Sequence, residues 1–351
     1  MDHLNSKDIA KIAGVSRTTV SRVINNSSNV SEETRQRVLD VINKNNYVPD
    51  ASARKLAGIK SKTIGLFIVD IRSGDNGVGG DRVTFSPYYS NFTAAIIDNA
   101  AKHGYKVLVD LVSNMSMYED VKEVFYDKTI VGGIFIGQGN DDPIIEEIID
   151  SGYKVALVDQ SLNSHKAIYK KSLIVNSDNF TGAYEAIKYL IKLNHKDIAH
   201  ITGDMEKFSS VERFQGYKQA LLDSNIQVKN SLIVKGIFLE SSGYNATKKL
   251  LSKQKPTAIF LGDDIMAIGA MKAIKELGLR IPEDISIIGF DDIEIARHLT
   301  PTLTTLRMKI PEMASIVVNT LITSIDNELD FSASYTVPVD LIERESCMKL
   351  K

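Results

Sequence analysis

From residue 61 onward, short apolar β-prone runs alternate with segments that have the spacing of amphipathic helices. The strand-like runs are 63–69, 106–111, 133–136, 154–158, 173–175, 198–202, 258–261 and 285–289. The helical runs are 88–103, 144–151, 182–193, 211–224, 243–252 and 265–277. This alternation is typical of an α/β fold in which parallel sheets are covered by helices on both faces. A rough two-fold repeat, 63–103 and 173–195, predicts two doubly wound lobes with a cleft at the carboxyl ends of the strands.

Composition narrows the class of protein further. The chain has 351 residues, 43% apolar and 25% charged, which is typical of soluble domains and predicts two or three folding units. No run approaches the ~18 consecutive apolar residues that a membrane span needs. The single cysteine, Cys347, excludes an internal disulfide, and residues 1–8 lack the regions of a secretory signal. We therefore expect a cytoplasmic protein.

The charge is distributed unevenly along the chain. Residues 1–60 contain ten Lys or Arg and six Asp or Glu, a net charge of +4. The whole chain carries −2, so the remainder carries −6. A basic N-terminal segment indicates a polyanionic partner for that segment alone, although a charge of +4 over 60 residues can also arise by chance.

Three short helices are predicted between residues 5 and 46. Asn5 and Asp8 form a capping pair for the first helix, and Gly14 ends it. Ser16 caps a second helix over 17–25, and Ser31 caps a third. A helix, a glycine-containing turn and a short second helix form the helix-turn-helix pattern, whose second helix enters the DNA major groove.

The apolar residues of these helices recur at helical spacing and define a small core. They are Ile9, Ala10, Ile12, Ala13, Val20, Val23, Ile24, Val38, Leu39, Val41 and Ile42. Arg17, Thr18, Ser21 and Arg22 then point outward, where they could contact base edges or phosphates. The alternative is a helical bundle whose exposed side chains are only solvated.

Residues 50–58 follow as a short helix-prone linker with one large apolar residue, Leu56. A helix this short is marginal alone in water. Leu56 could act as a wedge between base steps of a minor groove, with Arg54 and Lys55 on phosphates. The alternatives are that Leu56 packs against the rest of the chain or that the linker is plain coil.

Four N-terminal segments, 8–25, 30–35, 46–49 and 53–56, resemble the signature of the lactose-repressor (LacI/GalR) family of bacterial transcription regulators. The resemblance implies a homodimer on a pseudo-palindromic operator and a hinge helix over 50–57 that orders on DNA and inserts Leu56. Asp50 departs from the family, which usually has Asn there. The DNA-contacting residues predicted in this way are Ser16, Arg17, Thr18, Thr19, Ser21, Arg22, Asn25, Ser31, Ala53, Arg54, Lys55 and Leu56.

The resemblance continues through the remainder of the chain. The matching segments are 209–217, 256–260, 263–269, 281–292, 303–306 and 341–346. It implies that Arg213 enters an effector cleft and that Asp291 accepts hydrogen bonds from sugar hydroxyls. Asp263 departs from the pattern, because the family commonly has Asn at this position, and the change removes a hydrogen-bond donor.

Acidic residues also cluster at the predicted strand ends, independently of the resemblance. They are Asp70, Asp159, Asp178, Asp204, Asp263, Asp264, Asp291 and Asp292. Each alone is more readily explained as structural or solvated. Together they predict a cleft rich in hydrogen-bond acceptors, which suits sugar hydroxyls and disfavours phosphorylated or carboxylate ligands unless an arginine compensates. Arg213 is the best candidate donor.

Residues 72–84 form a glycine-rich segment before Ser86-Pro87-Tyr88-Tyr89, where the family usually reaches an aromatic pair sooner. The segment lacks the Gly-Lys-Ser/Thr ending of a phosphate-binding loop. It either borders the cleft, where Tyr88 or Tyr89 could stack on a sugar, or is a surface loop without a ligand role.

Catalytic and metal-binding signatures are absent from the sequence. There is no Gly-x-Ser-x-Gly, His-Glu-x-x-His or Gly-x-Gly-x-x-Gly, and the six histidines lack metal-ligand spacing. We therefore expect neither an enzyme nor a cofactor.

The predicted organisation is a helix-turn-helix domain (1–49), a hinge helix and linker (50–61), and a two-lobed, periplasmic-binding-protein-like domain for effector binding and dimerisation (62–351). We expect an N-lobe of about 62–160 and 292–322 and a C-lobe of about 161–291 and 323–345. The predicted effector-binding residues are Asp70, Tyr88, Tyr89, Asp159, Arg213, Asp263 and Asp291.

The predicted function is a homodimeric repressor of carbohydrate-use genes, controlled by a sugar or sugar derivative. The chain shows no leucine heptads after 344–346, which favours a dimer over a tetramer. The alternatives are a regulator that responds to a protein co-regulator or a non-sugar metabolite, and a sugar-transport protein with the same two-lobed fold.

Overall fold

Three helices build the N-terminal part of the computed structural model: α1 (Ser6–Ala13), α2 (Arg17–Ile24) and α3 (Glu32–Lys44). The structure describes residues 4–24, 27–45, 47, 61–71, 86–139, 142–161, 171–329 and 332–351. The chain forms two compact units, Met1–Lys62 and Thr63–Lys351. The predicted hinge helix (50–57) and glycine-rich segment (72–84) lie outside the described residues.

The predicted caps of the first unit are confirmed. The Asn5 side chain accepts from the backbone N–H groups of Lys7 and Asp8, and the Asp8 carboxylate accepts from the Asn5 N–H in return. Gly14 ends α1 with φ 66°, a left-handed conformation that a glycine adopts without penalty. The Ser16 hydroxyl accepts from the Thr19 N–H at 3.0 Å, which fixes the start of α2.

The core of the first unit is small. Its buried residues are Ile9, Ala10, Ala13, Val20, Val23, Val38 and Tyr47. The prediction was wrong for Ile12, which is 53% exposed. Successive residues of a helix are rotated by about 100°, so Ile12 lies well outside the stripe formed by residues 9, 10 and 13.

The second unit contains twelve strands and eight α-helices among its described residues. The strands are β1 (Thr63–Val69), β2 (Lys106–Val112), β3 (Gly132–Ile136), β4 (Lys154–Val158), β5 (Leu173–Ser177), β6 (Ile198–Ile201), β7 (Ile233–Val234), β8 (Ala258–Leu261), β9 (Ser286–Asp291), β10 (Thr304–Arg307), β11 (Ala333–Val337) and β12 (Asp340–Ile342). The helices are α4 (Pro87–Lys102), α5 (Met115–Tyr126), α6 (Pro143–Asp150), α7 (Asn179–Lys192), α8 (Phe208–Asp223), α9 (Glu240–Leu251), α10 (Asp264–Glu276) and α11 (Ile310–Asp326).

These strands form two six-stranded sheets, as the sequence predicts for an α/β fold. The first has the order β11-β5-β4-β3-β1-β2 and is entirely parallel. The second has the order β12-β10-β9-β8-β6-β7 and is parallel except where β12 pairs antiparallel with β10. Strands that are buried on both faces read as continuous apolar runs, and β1 shows this pattern from Ile64 to Val69.

The chain crosses between the sheets three times, after β5, after β10 and after β11. The two lobes therefore consist of 63–177 with 310–337, and of 179–307 with 340–351. The predicted lobe boundaries are corrected accordingly: β5 and β11 belong to the first sheet, and β10 to the second. Hydrophobic periodicity identifies a strand but carries no information about which sheet it joins.

The interior of the second unit lies on both faces of its sheets. In β1, Ile64, Leu66 and Ile68 share one apolar cluster with residues of α4 and α11, while Phe67 and Val69 belong to another. In the parts of the chain that the structure describes, no helix has the length and apolar character needed to cross a bilayer.

Candidate functional site

A cleft opens in the second unit where the carboxyl ends of the two sheets meet. It encloses about 640 Å³ between protein atoms, including space continuous with solvent. Its walls come from residues that follow or end strands of both sheets, which is the predicted position. The lining residues are Ser86, Tyr88, Tyr89, Gly137, Asp159, Ser177, Lys207, Ser209, Arg213, Phe238, Asp263, Asp291, Met308 and Met313.

Six of the seven predicted effector residues line this cleft, and Asp70 does not. Asp70 is fully buried just after β1, and its backbone N–H donates to the Val112 carbonyl at 2.9 Å. The strand-end argument placed Asp70 correctly along the chain. It could not show that the side chain is buried and does not line the cleft.

Arg213 lies on α8 and is only 4% exposed. Its Nε donates to Asn179 Oδ1 at 2.8 Å and its Nη1 donates to the Gly262 carbonyl at 2.5 Å. The guanidinium stacks over the Phe290 ring at 3.6 Å, and Nη2 lies 3.7 Å from Asp291 Oδ1. The second lobe thus fixes the arginine at the cleft wall through several contacts.

Asp159 and Asp291 face the cleft from opposite lobes, and both have left-handed backbones, with φ of 62° and 117°. Burial raises the pKa of each carboxyl, and Arg213 opposes the shift in both. Ser209, from the other lobe, also opposes the rise in the pKa of Asp159 through hydrogen bonding. Such non-glycine conformations cost free energy and are concentrated at ligand-binding positions.

Asp263 and Asp264 have different roles despite being adjacent. Asp263 lines the cleft and also caps α10, since its Oδ1 accepts from the Met266 N–H at 2.7 Å. Asp264 is fully buried and accepts from the Thr305 hydroxyl at 2.6 Å and the Ile293 N–H at 3.0 Å. These two bonds tie α10 to β10 and to the segment that follows β9, and burial raises the pKa of Asp264 to about 8.

The remaining strand-end acids are also structural. Asp178 caps α7 through the Thr181 N–H, and Asp204 accepts from the Glu206 N–H. Asp292 pairs with Arg307 at 2.7 Å and with Arg344 at 2.6 Å.

Tyr88 and Tyr89 enter the cleft from the first turns of α4, and their rings meet edge to face at 5.1 Å. Burial, followed by the charge of Asp159, raises the pKa of Tyr88, so its hydroxyl stays protonated. Tyr89 packs against Gly137, where a Cβ atom would lie 2.7 Å from the tyrosine hydroxyl. Gly137 therefore allows the aromatic pair to approach β3.

Several lining residues were missed by sequence reasoning. Gly137 and Ser177 follow or end the predicted strands 133–136 and 173–175, so their strand-end positions could have revealed them. Phe238 and Met308 come from connections whose course depends on the sheet order, and Met313 comes from α11, so no local signal marks them.

Lys207 also lines the cleft and precedes α8. Its ammonium group donates to the Gly137 carbonyl of the other lobe. Together with the Asp159–Ser209 contact, this bond joins the two lobes directly across the cleft.

The first unit presents Arg17, Thr18, Ser21 and Arg22 as exposed residues of α2, as predicted. Arg17 Nε donates to the Ser6 hydroxyl at 3.0 Å, which ties α2 to the start of α1. Ser16, Thr19 and Ser31 take part in helix capping. Asn25, Ala53, Arg54, Lys55 and Leu56 lie outside the described residues. Across the described ranges, no cluster of three or more His, Cys, Asp or Glu could hold a metal ion.

Comparison with known proteins identifies two matching family models. The model of bacterial regulatory proteins, lacI family, matches residues 6–50, and that of the periplasmic binding protein-like domain matches residues 187–347. The HTH-type transcriptional regulator MalR of Clostridium butyricum is 34% identical over 352 residues, which cover 99% of this chain and 100% of that protein.

Two solved structures are similar over nearly the whole chain. One is the Lac repressor dimer bound to operator and the anti-inducer ONPF, with a TM-score of 0.82, 27% identity and coverage of 99% of this chain and 100% of that one. The other is the complex of the transcriptional regulator CelR with cellobiose, with a TM-score of 0.75, 26% identity and coverage of 98% and 99%.

Proposed function

Because the chain belongs to the lacI family of bacterial regulatory proteins, we propose that it represses carbohydrate-use genes as a cytoplasmic homodimer under effector control. It binds operator DNA through its first unit and a sugar or sugar derivative in the cleft of its second. Its cleft serves ligand sensing and not catalysis. The cleft, with carboxylates and aromatic side chains converging from two lobes, is the observation that carries the effector assignment.

The DNA-binding part of the proposal rests on α2. Its exposed Arg17, Thr18, Ser21 and Arg22 suit the major groove, because arginine can donate two hydrogen bonds to a guanine edge. The net charge of +4 over residues 1–60 favours binding to phosphates. The predicted minor-groove wedge, Leu56, belongs to the same proposal.

The homodimer is supported by an exposed apolar surface on the first lobe. Ile97 of α4 is 45% exposed, and Val109 and Leu111 of the edge strand β2 are 38% and 46% exposed. A second copy of this chain is the proposed occupant of this surface, since the similar Lac repressor is a dimer. Effector binding would act by changing how the paired lobes meet.

The effector part of the proposal is supported by the chemistry of the cleft. Carboxylates accept hydrogen bonds from sugar hydroxyls, and aromatic faces such as Tyr88 pack against sugar rings. The similar CelR was solved with cellobiose. Closure of the two lobes around such a ligand would strengthen the contacts that already join them.

Thermal denaturation of the full chain against a panel of sugars and sugar derivatives tests the effector class. A ligand at 100 times its Kd adds about 2.7 kcal/mol of stability. Selection of binding sites from random double-stranded DNA then supplies an operator, on which each hit is tested for a change in affinity. If no sugar raises the melting temperature, a protein co-regulator or a non-sugar metabolite replaces the proposed effector.

A further inference from the structure

The charged residues that line the cleft do not balance. Among the described lining residues, three are carboxylates, Asp159, Asp263 and Asp291, and two are cations, Lys207 and Arg213. The other described lining residues are serine, tyrosine, phenylalanine, methionine and glycine. Glu212 adds a further carboxyl group behind this surface, where it interacts electrostatically with Asp159.

Both cations are already engaged by the protein. Arg213 donates to Asn179 and to the Gly262 carbonyl, its guanidinium stacks on Phe290, and its Nη2 lies 3.7 Å from Asp291 Oδ1. Lys207 donates to the Gly137 carbonyl across the cleft. Neither group is therefore positioned solely to neutralise the carboxylates.

The carboxylates are close enough to repel one another. The pKa of Asp291 is raised first by burial, and the charges of Asp263, Asp264 and Asp159 raise it further against Arg213. Ionised groups in a poorly solvated space require a compensating charge or protonation. A ligand that brings a positive charge would supply that compensation.

Asp263 adds a requirement on hydrogen bonding. An ionised carboxylate only accepts hydrogen bonds, whereas the asparagine that is common here in the family can also donate. Asp263 Oδ1 already accepts from the Met266 N–H, and any hydrogen bond between this side chain and a ligand must be donated by the ligand. An ammonium group carries three donors and a positive charge, and the aromatic rings of Tyr88 and Phe238 favour a cation nearby as well.

We propose that the effector is an amino sugar whose protonated amine binds at the wall formed by Asp263 and Asp291. This inference rests on the proposed function and specifies the ligand of the same cleft. The same charge distribution disfavours a sugar phosphate or a sugar acid. The hydroxyls of the ring are left to Asp159, Ser177 and Ser209.

Matched sets of sugars test the inference directly. Glucosamine, galactosamine and mannosamine are compared with glucose, galactose and mannose, and with the three N-acetyl derivatives, by thermal denaturation and calorimetric titration of the full chain. The N-acetyl derivatives keep the nitrogen but lose its charge. We expect at least one free amine to bind about tenfold more tightly than both of its neutral counterparts, which corresponds to about 1.4 kcal/mol.

The substitution Asp263→Asn tests whether the preference for the amine arises at this wall of the cleft. Asparagine caps a helix as well as aspartate does, so the start of α10 is retained while the charge is lost. We expect the preference for the amine to fall to about twofold or less. Asp142→Asn is the matched control, because Asp142 caps α6 outside the cleft, and it should leave the preference unchanged.

The outcomes separate this inference from the proposed function. If neutral sugars bind as tightly as the amines, or if Asp263→Asn leaves the preference intact, the amine assignment is overturned while the sugar-controlled regulator stands. If no sugar of either kind binds, the amine assignment fails and the sugar effector loses its support as well.

Discussion

At the scale of single residues, Arg213 and Asp291 show that the proposed effector site also contributes to the stability of the second lobe. The two side chains are buried, 3.7 Å apart, and the arginine is held by three further groups of the second lobe. Removing one member of such a pair leaves the other charge buried without compensation. The arginine that the sequence marks for effector binding therefore also has a structural role.

We expect Arg213→Met to lower the free energy of unfolding by about 3 to 5 kcal/mol. In the double variant Arg213→Met/Asp291→Asn, part of that loss should be recovered, because the buried charge is gone. Urea denaturation of the wild type, both single variants and the double variant measures the coupling. Strict additivity of the two substitutions would contradict this account.

Asp264 gives a pH-dependent prediction. Burial raises its pKa from 3.8 to about 8 in the folded chain. Between pH 4 and 8 the unfolded chain loses this proton while the folded chain retains it, so the contribution of Asp264 to stability falls as pH rises through that range. Asp264→Asn should remove this slope, since asparagine can donate to Thr305 and accept from the Ile293 N–H.

The measurement is chemical denaturation of the wild type and of Asp264→Asn at several pH values between 4 and 9. The difference in unfolding free energy between them should change through about pH 4 to 8 and then level off. A difference that stays constant across the range would show that Asp264 is ionised in the folded chain.

At the scale of elements, Gly14 sets the angle between α1 and α2. Its φ of 66° is left-handed, and a Cβ atom would meet no other heavy atom within 4 Å. We expect Gly14→Ala to cost about 1 kcal/mol through backbone conformation alone and to weaken operator binding by shifting α2. Gel-shift titration on a selected operator and thermal denaturation measure the two effects.

Gly104→Ala is the matched control for that substitution. Gly104 also has a left-handed backbone, with φ 71°, and open space where its Cβ would lie, but it belongs to the second unit. A similar loss of stability with unchanged DNA affinity is expected. Equal losses of DNA affinity in both variants would mean that global stability, and not the turn, controls binding.

The helices and strands of the second unit also show which elements can be predicted from the sequence and which cannot. All eight predicted strands and all six predicted helices of the second unit are present, because each carries a clear local pattern. Helices α5 and α11 were not predicted, although α11 has a helical period in which Glu312, Asn319 and Thr323 form an exposed polar face opposite its buried residues. The short strands β7, β10, β11 and β12 were missed as well, because their pairing depends on distant partners.

Some residues of the candidate cleft could also be predicted from the sequence, whereas the contacts between its two lobes could not. Strand ends pointed to Asp159, Asp263 and Asp291, and the resemblance pointed to Arg213. The sequence could not reveal that Lys207 reaches the Gly137 carbonyl, because the two residues meet only after the lobes have packed together. Contacts between lobes depend on where the chain crosses from one sheet to the other. These three crossings produce no hydrophobic periodicity in the sequence, so they cannot be predicted from it.

At the scale of the whole molecule, the apolar surface on α4 and β2 predicts the oligomeric state. Leu111→Asp places a charge in the proposed interface between two copies of the chain, and we expect a folded monomer. Sedimentation equilibrium at micromolar concentration measures the mass. Leu222→Asp, at a 57% exposed residue of α8, is the control and should remain a dimer.

A dimer that survives Leu111→Asp would place the interface elsewhere on the molecule. Operator binding adds an independent readout, because a monomer contacts one half-site only and should lose affinity steeply. The control variant should retain both its mass and its affinity.

The three crossings also dictate the order in which a nascent chain can finish folding. β11, which pairs with β5, and α11, which packs on β3, β4 and β5, leave the ribosome only after every strand of the second sheet except β12. Until then β5 is an open edge, and such edges can pair with other chains. A premature stop shortly before residue 310 therefore damages chiefly the lobe that was synthesised first.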